Sequence, residues 1–543
     1  MTQLTNLLTD RWLDVRRASG ALDTIAPGRL TERIDDDPIV DVVTPRPDFR
    51  SALYQFLIAL LQTACPPDDD DDWLNKWDAP PNSVELEVKF APFAPAFVVR
   101  GDGPLFLQDR SAADGKVVPI AELLLDEPGE NGIKENRDLF VKRGRIRGLS
   151  ARTGVAALMT MQCMAPSGGA GHRTSLRGGG PLSTLLAPVE PSAQSLWRRI
   201  WLNVLDRDAW RLVPGLQGEP TLNGLTFPWM DAIRTSDKEG VCTTPEDAHS
   251  LQHYWAMPRR ILLDWNDDGT LRCPLSGDAV AVSRFCRKPH GVHYQGPWQH
   301  PLSPHYRAKD GAALPFHPQP GGFAYRLWSE WTRMSRGDEP STLCALVVSN
   351  HLQSPVRSEV PARLWASGYD MDNMKPRCFY ERSWPLFRFA PDVAEYARAA
   401  IDAAVTVATC AARDLRSHVR KAWLRRPTDH SDSKNNLSFA IESHFYTASE
   451  PGFFDRLSQL HDYCEGRRRA PLDGEKWRQE LEELALRTFD AYVPVESLAD
   501  GDAARIARAR NGLSGSLRAK TNRAAVEEIE NAMDLIRGAR DAR

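Results

Sequence analysis

The pattern of apolar and polar positions changes near Pro391. Residues 392–426 contain no glycine or proline, and their apolar residues recur at helical spacing. The same spacing recurs over 477–488, 506–517 and 526–536, and a shorter pair of helices is expected at 437–445 and 453–460, on either side of Pro451-Gly452. These helices predict a C-terminal helical bundle.

Before Pro391, prolines and glycines interrupt the chain often and the apolar segments are short. The patterns at 51–63 and 194–205 predict helices, whereas those at 86–99 and 343–349 predict short strands. Five consecutive aspartates at 68–72 repel one another, so we expect a solvated loop there. The fold class predicted is α+β, with a large mixed α/β domain at 1–388 followed by a four-helix bundle at 389–543.

Charge and composition narrow the class of protein. The 543 residues include 68 Lys and Arg against 72 Asp and Glu, a net charge of −4, which excludes a uniformly basic nucleic-acid coat but not a local basic site. The nine cysteines show no paired spacing, and no signal peptide or apolar run long enough to cross a bilayer is visible. We therefore expect a cytoplasmic protein with free thiols and no membrane partner.

Common catalytic motifs are missing from the sequence. It contains no Walker-type phosphate loop, no His-Glu-x-x-His pair and no Gly-x-Ser-x-Gly elbow. No cofactor is therefore predicted.

A glycine-rich stretch is the most unusual local feature. Ser167 to Gly171 is followed by a second glycine cluster at 177–180, with His172 and Arg173 between them. A dinucleotide fingerprint would need a further glycine where Thr174 stands. The stretch is either a flexible loop or a place where bare backbone approaches an anion or nucleic acid, with arginines to bind phosphates.

Two further clusters have alternative interpretations. The basic run Lys142, Arg143, Arg145 and Arg147 follows Phe140-Val141, and it is either a solvated loop or a single-stranded RNA contact in which a base stacks while phosphates pair. The second cluster consists of Cys273, Cys286, His290 and His293, whose side chains are of the types that bind zinc. It lacks a Cys-x-x-Cys pair, and the alternative interpretation is buried thiols and surface histidines. No metal is predicted.

Four segments together resemble CasA, the large subunit of the type I-E CRISPR surveillance complex Cascade. They are NLLTDRWL at 6–13, APSGGAGHRTSLRGG at 165–179, GPWQHPLSP at 296–304 and ESHFY at 442–446. They stand in the order found in that family and span most of the chain. The resemblance implies a non-catalytic subunit that recognises the short PAM beside a DNA target, helps to open the duplex and recruits a helicase-nuclease.

The resemblance also implies roles for particular residues. The glycine loop Ser167, Gly168, Gly169, Ala170 and Gly171 would face the PAM from the minor groove, accompanied by either Arg287 or Lys288. The wedge that separates the strands would follow Gly368-Tyr369, at Asn373, Met374 and Lys375. Phe140, Val141, Lys142 and Arg143 would contact the handle of the guide RNA.

The partners implied are the other Cascade subunits, the guide RNA, target double-stranded DNA and the helicase-nuclease. Two other functions remain open at this point. One is a stand-alone enzyme that binds a phosphorylated small molecule at the glycine loop, which would require a deep polar pocket beside Gly168. The other is a scaffold whose helical bundle only holds partners.

Overall fold

The structure is a computed structural model of the full chain. It describes residues 3–136, 138–139, 141–169, 171–190, 194–238, 240–266, 269–309, 311–333, 342–424, 436–494 and 503–542. The described residues form two compact units. The N-terminal unit draws on 1–318 and 334–384, and the helical unit draws on 319–333 and 385–543.

The helices and strands of the described residues have the following bounds. The helices are α1 Pro47–Ala64, α2 Asp70–Asp78, α3 Ser83–Phe90, α4 Glu130–Lys134, α5 Ala151–Met164, α6 Leu196–Trp201, α7 Arg207–Trp210, α8 Gln252–Trp255, α9 Trp328–Trp331, α10 Leu346–Gln353, α11 Ala394–Trp423, α12 Asn436–Cys464, α13 Gly474–Tyr492, α14 Ala503–Leu517 and α15 Lys520–Asp541. The strands are β1 Leu13–Arg17, β2 Leu22–Ile25, β3 Ile39–Val42, β4 Lys116–Pro119, β5 Ser183–Pro188, β6 Arg260–Trp265, β7 Val282–Lys288, β8 His305–Arg307, β9 Ala313–Pro315, β10 Thr342–Leu343, β11 Ala362–Asp372 and β12 Lys375–Pro385.

The N-terminal unit combines small sheets with helices. Its three-stranded sheets have the orders β2-β1-β3, β4-β7-β6, β12-β11-β5 and β10-β8-β9. Helix α1 is buried on all sides, with 15 of its 18 residues buried, and this is the pattern of a central core helix. Phe56 of α1 packs edge-to-face on Phe106 and Trp255, which contribute to the core beside it.

Several predictions for this unit are wrong. Residues 86–99 are not strands, because Asn82 and Glu85 form a capping box that starts α3, and a 3₁₀ helix, Ala91–Phe97, follows it. Of the second predicted strand, 343–349, only Leu343 is in a strand, at the end of β10, and helix α10 takes up 346–349.

The aspartate run also differs from the expected loop. Asp69 accepts a hydrogen bond from the backbone N–H of Asp72 at 2.8 Å and so caps α2, whose first turn contains the next three aspartates. Negative charge is stabilised at a helix N-terminus, which offsets the repulsion among these side chains. Asp70 also pairs with the buried Arg357 at 2.8 Å.

The helical unit is built around α11. Helices α12, α13, α14 and α15 all pack on α11, whose buried face is rich in alanine and so admits close neighbours. The four predicted long helices are confirmed. The expected pair of short helices is instead the single helix α12, which continues through Pro451. Just beyond this proline, Phe453 is buried and stacks on Tyr325 with ring centroids 4.3 Å apart, and such packing offsets the hydrogen bond that proline cannot donate.

Within the described residues, no helix is both long enough and apolar enough to cross a membrane.

Candidate nucleic-acid interface

The glycine loop follows the C-terminus of α5 and makes a tight turn. The Gly168 N–H donates to the His172 carbonyl at 3.1 Å, and the His172 N–H donates back to the Gly169 carbonyl at 2.8 Å. Gly169 has a φ of +66° and Gly171 a φ of +80°, which side chains other than glycine's adopt at a cost. Ser167, Gly168 and Gly169 are exposed, so the turn presents backbone to solvent; Ala170 lies outside the described residues.

The glycines of the loop are not equivalent. A Cβ at Gly168 would lie 2.7 Å from Arg259 Nη1, and one at Gly171 would lie 2.8 Å from the ring of His290. A Cβ at Gly169 would meet no atom within 4 Å. The flanks of the turn therefore need glycine for close packing, while its tip at Gly169 is open to an incoming ligand.

Arg259 braces the underside of this turn, and no sequence pattern predicted that role. Its guanidinium donates to the Pro166 carbonyl, and its own backbone N–H donates to Gln162 Oε1 on α5 at 3.0 Å. Burial lowers the pKa of Arg259 to about 10, so the side chain is still charged at neutral pH. The loop is therefore held from α5 and from the start of β6.

Arg287 and Lys288 are neighbours on β7 and so point to opposite faces of the strand. Arg287 Nη1 pairs with Glu122 at 2.7 Å, whereas Lys288 Nζ pairs with Asp114 at 2.5 Å. Burial, then the positive charges of Arg259 and Arg287, lower the pKa of His172 to about 4. Arg287 is thus the member of the pair whose charge acts on the glycine loop.

The predicted wedge lies at the turn between β11 and β12. Asn373 and Met374 have φ values of +48° and +62°, the signature of a tight two-residue hairpin turn. Asn373, Met374 and Lys375 are exposed, and 46% of the Met374 surface is accessible to solvent. Behind the turn, Arg377 pairs with Asp370 at 2.8 Å across the hairpin. The tip is thus a stiff projection that carries an apolar side chain.

The hairpin tip and the glycine loop meet at Gly179. A Cβ at that position would lie 2.8 Å from the Pro166 Cα and 3.2 Å from Met374 Sδ. At the next residue, Gly180, a Cβ would lie 2.7 Å from Met371 Cε. The second glycine cluster therefore lets the loop and the hairpin pack together, and the structure unites two sets of residues that the sequence places about 200 positions apart.

The basic run at 142–147 makes contacts that are separate from those of the glycine loop. Val141 donates its N–H to the Asp138 carbonyl at 2.9 Å, and Arg143 pairs with the Asp138 carboxylate; Phe140 lies outside the described residues. An open groove of about 420 Å³ runs alongside, and its cationic lining consists of Lys142, Arg143, Arg145, Arg147 and Arg272. These side chains could bind phosphates, but no contact joins them to the glycine loop in the part of the chain that is described.

The candidate zinc ligands have separate environments. Cys273 is buried and lies 3.4 Å from Thr153 Oγ1, within hydrogen-bonding range, Cys286 lies within β7, and the His290 ring packs on Gly171. Among the described residues, no group of three or more His, Cys, Asp or Glu side chains could hold a metal ion.

Comparison with known proteins identifies the family. The chain belongs to the family of CRISPR-associated protein Cse1, whose profile matches residues 6–488. The resemblance drawn from the four sequence segments is thereby confirmed.

Solved structures share this fold along nearly the whole chain. Thermus thermophilus CasA (Cse1) matches with a TM-score of 0.66 at 18% identity, over 95% of this chain and 99% of the other. Cse1 from Acidimicrobium ferrooxidans matches with a TM-score of 0.64 at 17% identity, over 97% and 100%. A chain of a CRISPR RNA-guided surveillance complex matches with a TM-score of 0.64 at 16% identity, over 95% and 99%. The predicted α+β fold is confirmed.

Proposed function

We propose that this chain is the large subunit of a type I-E CRISPR surveillance complex, in which it recognises the PAM of target DNA and begins to open the duplex. Its family and the match to a chain of an RNA-guided surveillance complex support this role. Its partners are the other subunits, the guide RNA, double-stranded target DNA and a helicase-nuclease that it recruits. The chain itself catalyses no reaction.

The observation that carries the proposal is that Gly179 lies against both Pro166, at the base of the exposed glycine turn, and Met374, at the exposed hairpin tip. The minor groove of B-DNA is about 6 Å wide, so bare backbone enters it more readily than side chains do. Gly169, which has open space beside it, is the part of the turn that enters. Hydrogen-bond readout in this groove is degenerate, so the subunit accepts several related PAM sequences.

Residues near the glycine loop have the other roles in binding and opening the DNA. Arg287, on the loop side of β7, supplies positive charge to the DNA backbone beside the PAM, and Lys288 does not take part. Met374 at the hairpin tip inserts between base pairs, as apolar wedges of minor-groove proteins do, and Asn373 and Lys375 flank it. Because the tip adjoins the loop through Gly179, the wedge acts next to the PAM.

The basic groove is the site for the guide RNA handle. Val141, Lys142 and Arg143, together with Phe140, bind the RNA by stacking and by phosphate contacts. Sequence recognition of the target comes from base pairing with the guide and not from this chain.

The test is a gel shift of the assembled complex on duplexes with and without a PAM, comparing Gly169→Asp with Gly169→Asn. Both residues tolerate a positive φ and are close in size, so the two variants differ mainly in charge. We expect Gly169→Asp to lose PAM-dependent binding and Gly169→Asn to lose less. Wild-type binding should weaken steeply from low to physiological salt, as phosphate contacts do.

Assembly of the complex is checked by size-exclusion chromatography in the same samples. If both variants assemble and still discriminate the PAM as the wild type does, the glycine loop is not the reader. The chain would then act as a scaffold only.

A further inference from the structure

Arg177 is a buried arginine whose hydrogen-bond partners are all neutral. Its guanidinium donates to Ser183 Oγ at 2.8 Å, to Ser303 Oγ at 3.1 Å and to Gln55 Oε1 at 2.5 Å. Only 4% of its surface is exposed. A guanidinium has five N–H groups, so two of them have no acceptor among the described residues.

The charge of Arg177 is not compensated by a carboxylate. Among the described residues no Asp or Glu forms an ion pair with it, unlike the buried Arg357, which pairs with Asp70 and Asp206 at 2.8 Å. Burial lowers the pKa of Arg177 to about 10, which still leaves it protonated at neutral pH. Buried charges in proteins are normally paired, because an isolated one is costly to remove from water.

A small cavity lies beside this guanidinium. Its volume is about 30 Å³, and Arg177, Gln55 and Tyr254 contribute to its lining. The Tyr254 hydroxyl is buried and has no hydrogen-bond partner among the described residues. A space of this size holds one small ion or one or two water molecules.

The rest of the lining is mostly apolar. Phe56, Phe106 and Trp255 border the cavity. A charged guanidinium and an unpaired phenol O–H, enclosed by apolar side chains, together form an environment for a weakly hydrated anion.

We propose that this cavity is a binding site for a monovalent halide-sized anion, chloride in the cell, which neutralises Arg177. The anion accepts hydrogen bonds from the guanidinium and from the Tyr254 hydroxyl. Arg177 stands between Ser175 and the glycines at 178–180, so the bound anion stabilises the segment that joins the glycine loop to the hairpin.

Water is the competing occupant. His253 Nδ1 lies 2.8 Å from the Ser250 carbonyl, which fixes its proton there, and its Nε2 is buried without a partner. A water molecule could donate to that nitrogen, whereas a halide could not. The experiment must therefore separate a halide from water.

The direct test is anomalous diffraction from crystals of the full chain grown or soaked in sodium bromide. We expect an anomalous peak within hydrogen-bonding range of the Arg177 guanidinium and Tyr254 Oη. A refined site with ordinary solvent density and no anomalous signal would mean that water fills the cavity, and the proposal would be overturned.

A solution test avoids variants of Arg177, which can fail to fold. Thermal unfolding is compared in sodium chloride and sodium gluconate at equal ionic strength, for the wild type, Tyr254→Phe and Tyr294→Phe. Tyr294 is a matched control, because its hydroxyl already donates to Gln252 Oε1 at 3.1 Å. We expect chloride to raise the wild-type melting temperature by about 2–4 °C through its binding to the folded chain.

Tyr254→Phe should lose at least half of that chloride effect, and Tyr294→Phe should keep it even if it melts earlier. Equal melting in the two salts, or an equal chloride effect in all three proteins, would place any chloride binding elsewhere and contradict the proposal.

Discussion

Met374 lies so close to Gly179 that a single Cβ on the glycine would approach its sulfur to 3.2 Å. Met374 itself has a φ of +62°, a conformation that costs an ordinary residue about 1–2 kcal/mol. The hairpin therefore keeps an apolar side chain at its tip at the expense of its own stability. Strain of this kind is a reason to look for a function at the residue that bears it.

Replacing Met374 with glycine separates the function of the tip from its folding. Asn-Gly is the preferred pair for this turn, so Met374→Gly should fold as well as the wild type or be more stable by about 1 kcal/mol. Duplex opening should decline, because the apolar wedge is gone. The measurement is permanganate reactivity of thymines beside the PAM in the assembled complex, together with thermal unfolding of the isolated chain.

Met374→Leu is the matched variant for this experiment, since it retains an apolar side chain of similar size. It should open DNA nearly as well as the wild type. Normal opening by Met374→Gly would show that the side chain of Met374 does not act as a wedge.

The two adjacent basic residues of β7 offer a paired test of the PAM site. Arg287→Met should weaken PAM-dependent binding by about 1–3 kcal/mol and reduce its salt dependence, because one cation beside the loop is lost. Lys288→Met removes the same charge from the opposite face and should leave binding unchanged. Quantitative gel shifts at several salt concentrations measure both quantities, and equal losses in the two variants would refute the assignment to Arg287.

The glycines of the loop should differ in their tolerance of a methyl group. Gly169→Ala meets open space and should cost about 1–2 kcal/mol of unfolding free energy, from its positive φ alone. Gly171→Ala also collides with the His290 ring and should cost about 2–5 kcal/mol. Urea denaturation compares the two variants, and the reverse order would show that the loop packs differently.

Acid should destabilise the N-terminal unit. Burial lowers the pKa of His253 to about 3 and that of His305 to about 4, from an ordinary value of 6.5. The charge of Arg177 adds to this lowering at both residues, and the charge of His305 adds to it at His253. Between these values and pH 6.5, the unfolded chain binds protons that the folded chain does not, so stability is lost as the pH falls through this window. At pH 5 each histidine should cost about 2 kcal/mol.

Thermal unfolding at pH 7.5 and pH 5 measures this loss. His305→Asn, which cannot titrate, should show a smaller difference between the two pH values than the wild type. The same difference in both proteins would mean that His305 is protonated in the folded state or that other groups control the acid response.

Sequence periodicity predicted the helical unit better than the N-terminal one. Helix α11 is long, free of glycine and proline, and regular in its apolar spacing, so local signals agree with the final structure. The failures occurred where another force prevailed over a local signal. Pro451 looked like a break, yet packing of α12 carries the helix through it, and the aspartates at 70–72 looked like a loop, yet they begin α2.

The candidate site could be predicted only in parts. The glycine loop stood out by its composition, and the family resemblance placed the wedge after Gly368-Tyr369, but no periodicity reports that Gly179 lies between them. The bracing of the loop by Arg259 and the separate ion pairs of Arg287 and Lys288 also depend on tertiary packing and strand direction. Contacts between segments that are distant in the sequence depend on how the core packs, and a single sequence does not reveal that packing.

Strand β12 has a consequence for handling the chain outside any complex. It is eleven residues long and lies at the edge of the β12-β11-β5 sheet, and a strand of this kind can template aggregation by pairing with another molecule. Pro376 near its start removes one backbone donor, and Lys375, Arg377, Glu381 and Arg382 place charges along it. The β11–β12 hairpin is thereby protected against intermolecular sheet formation, and the isolated chain should remain monodisperse during purification.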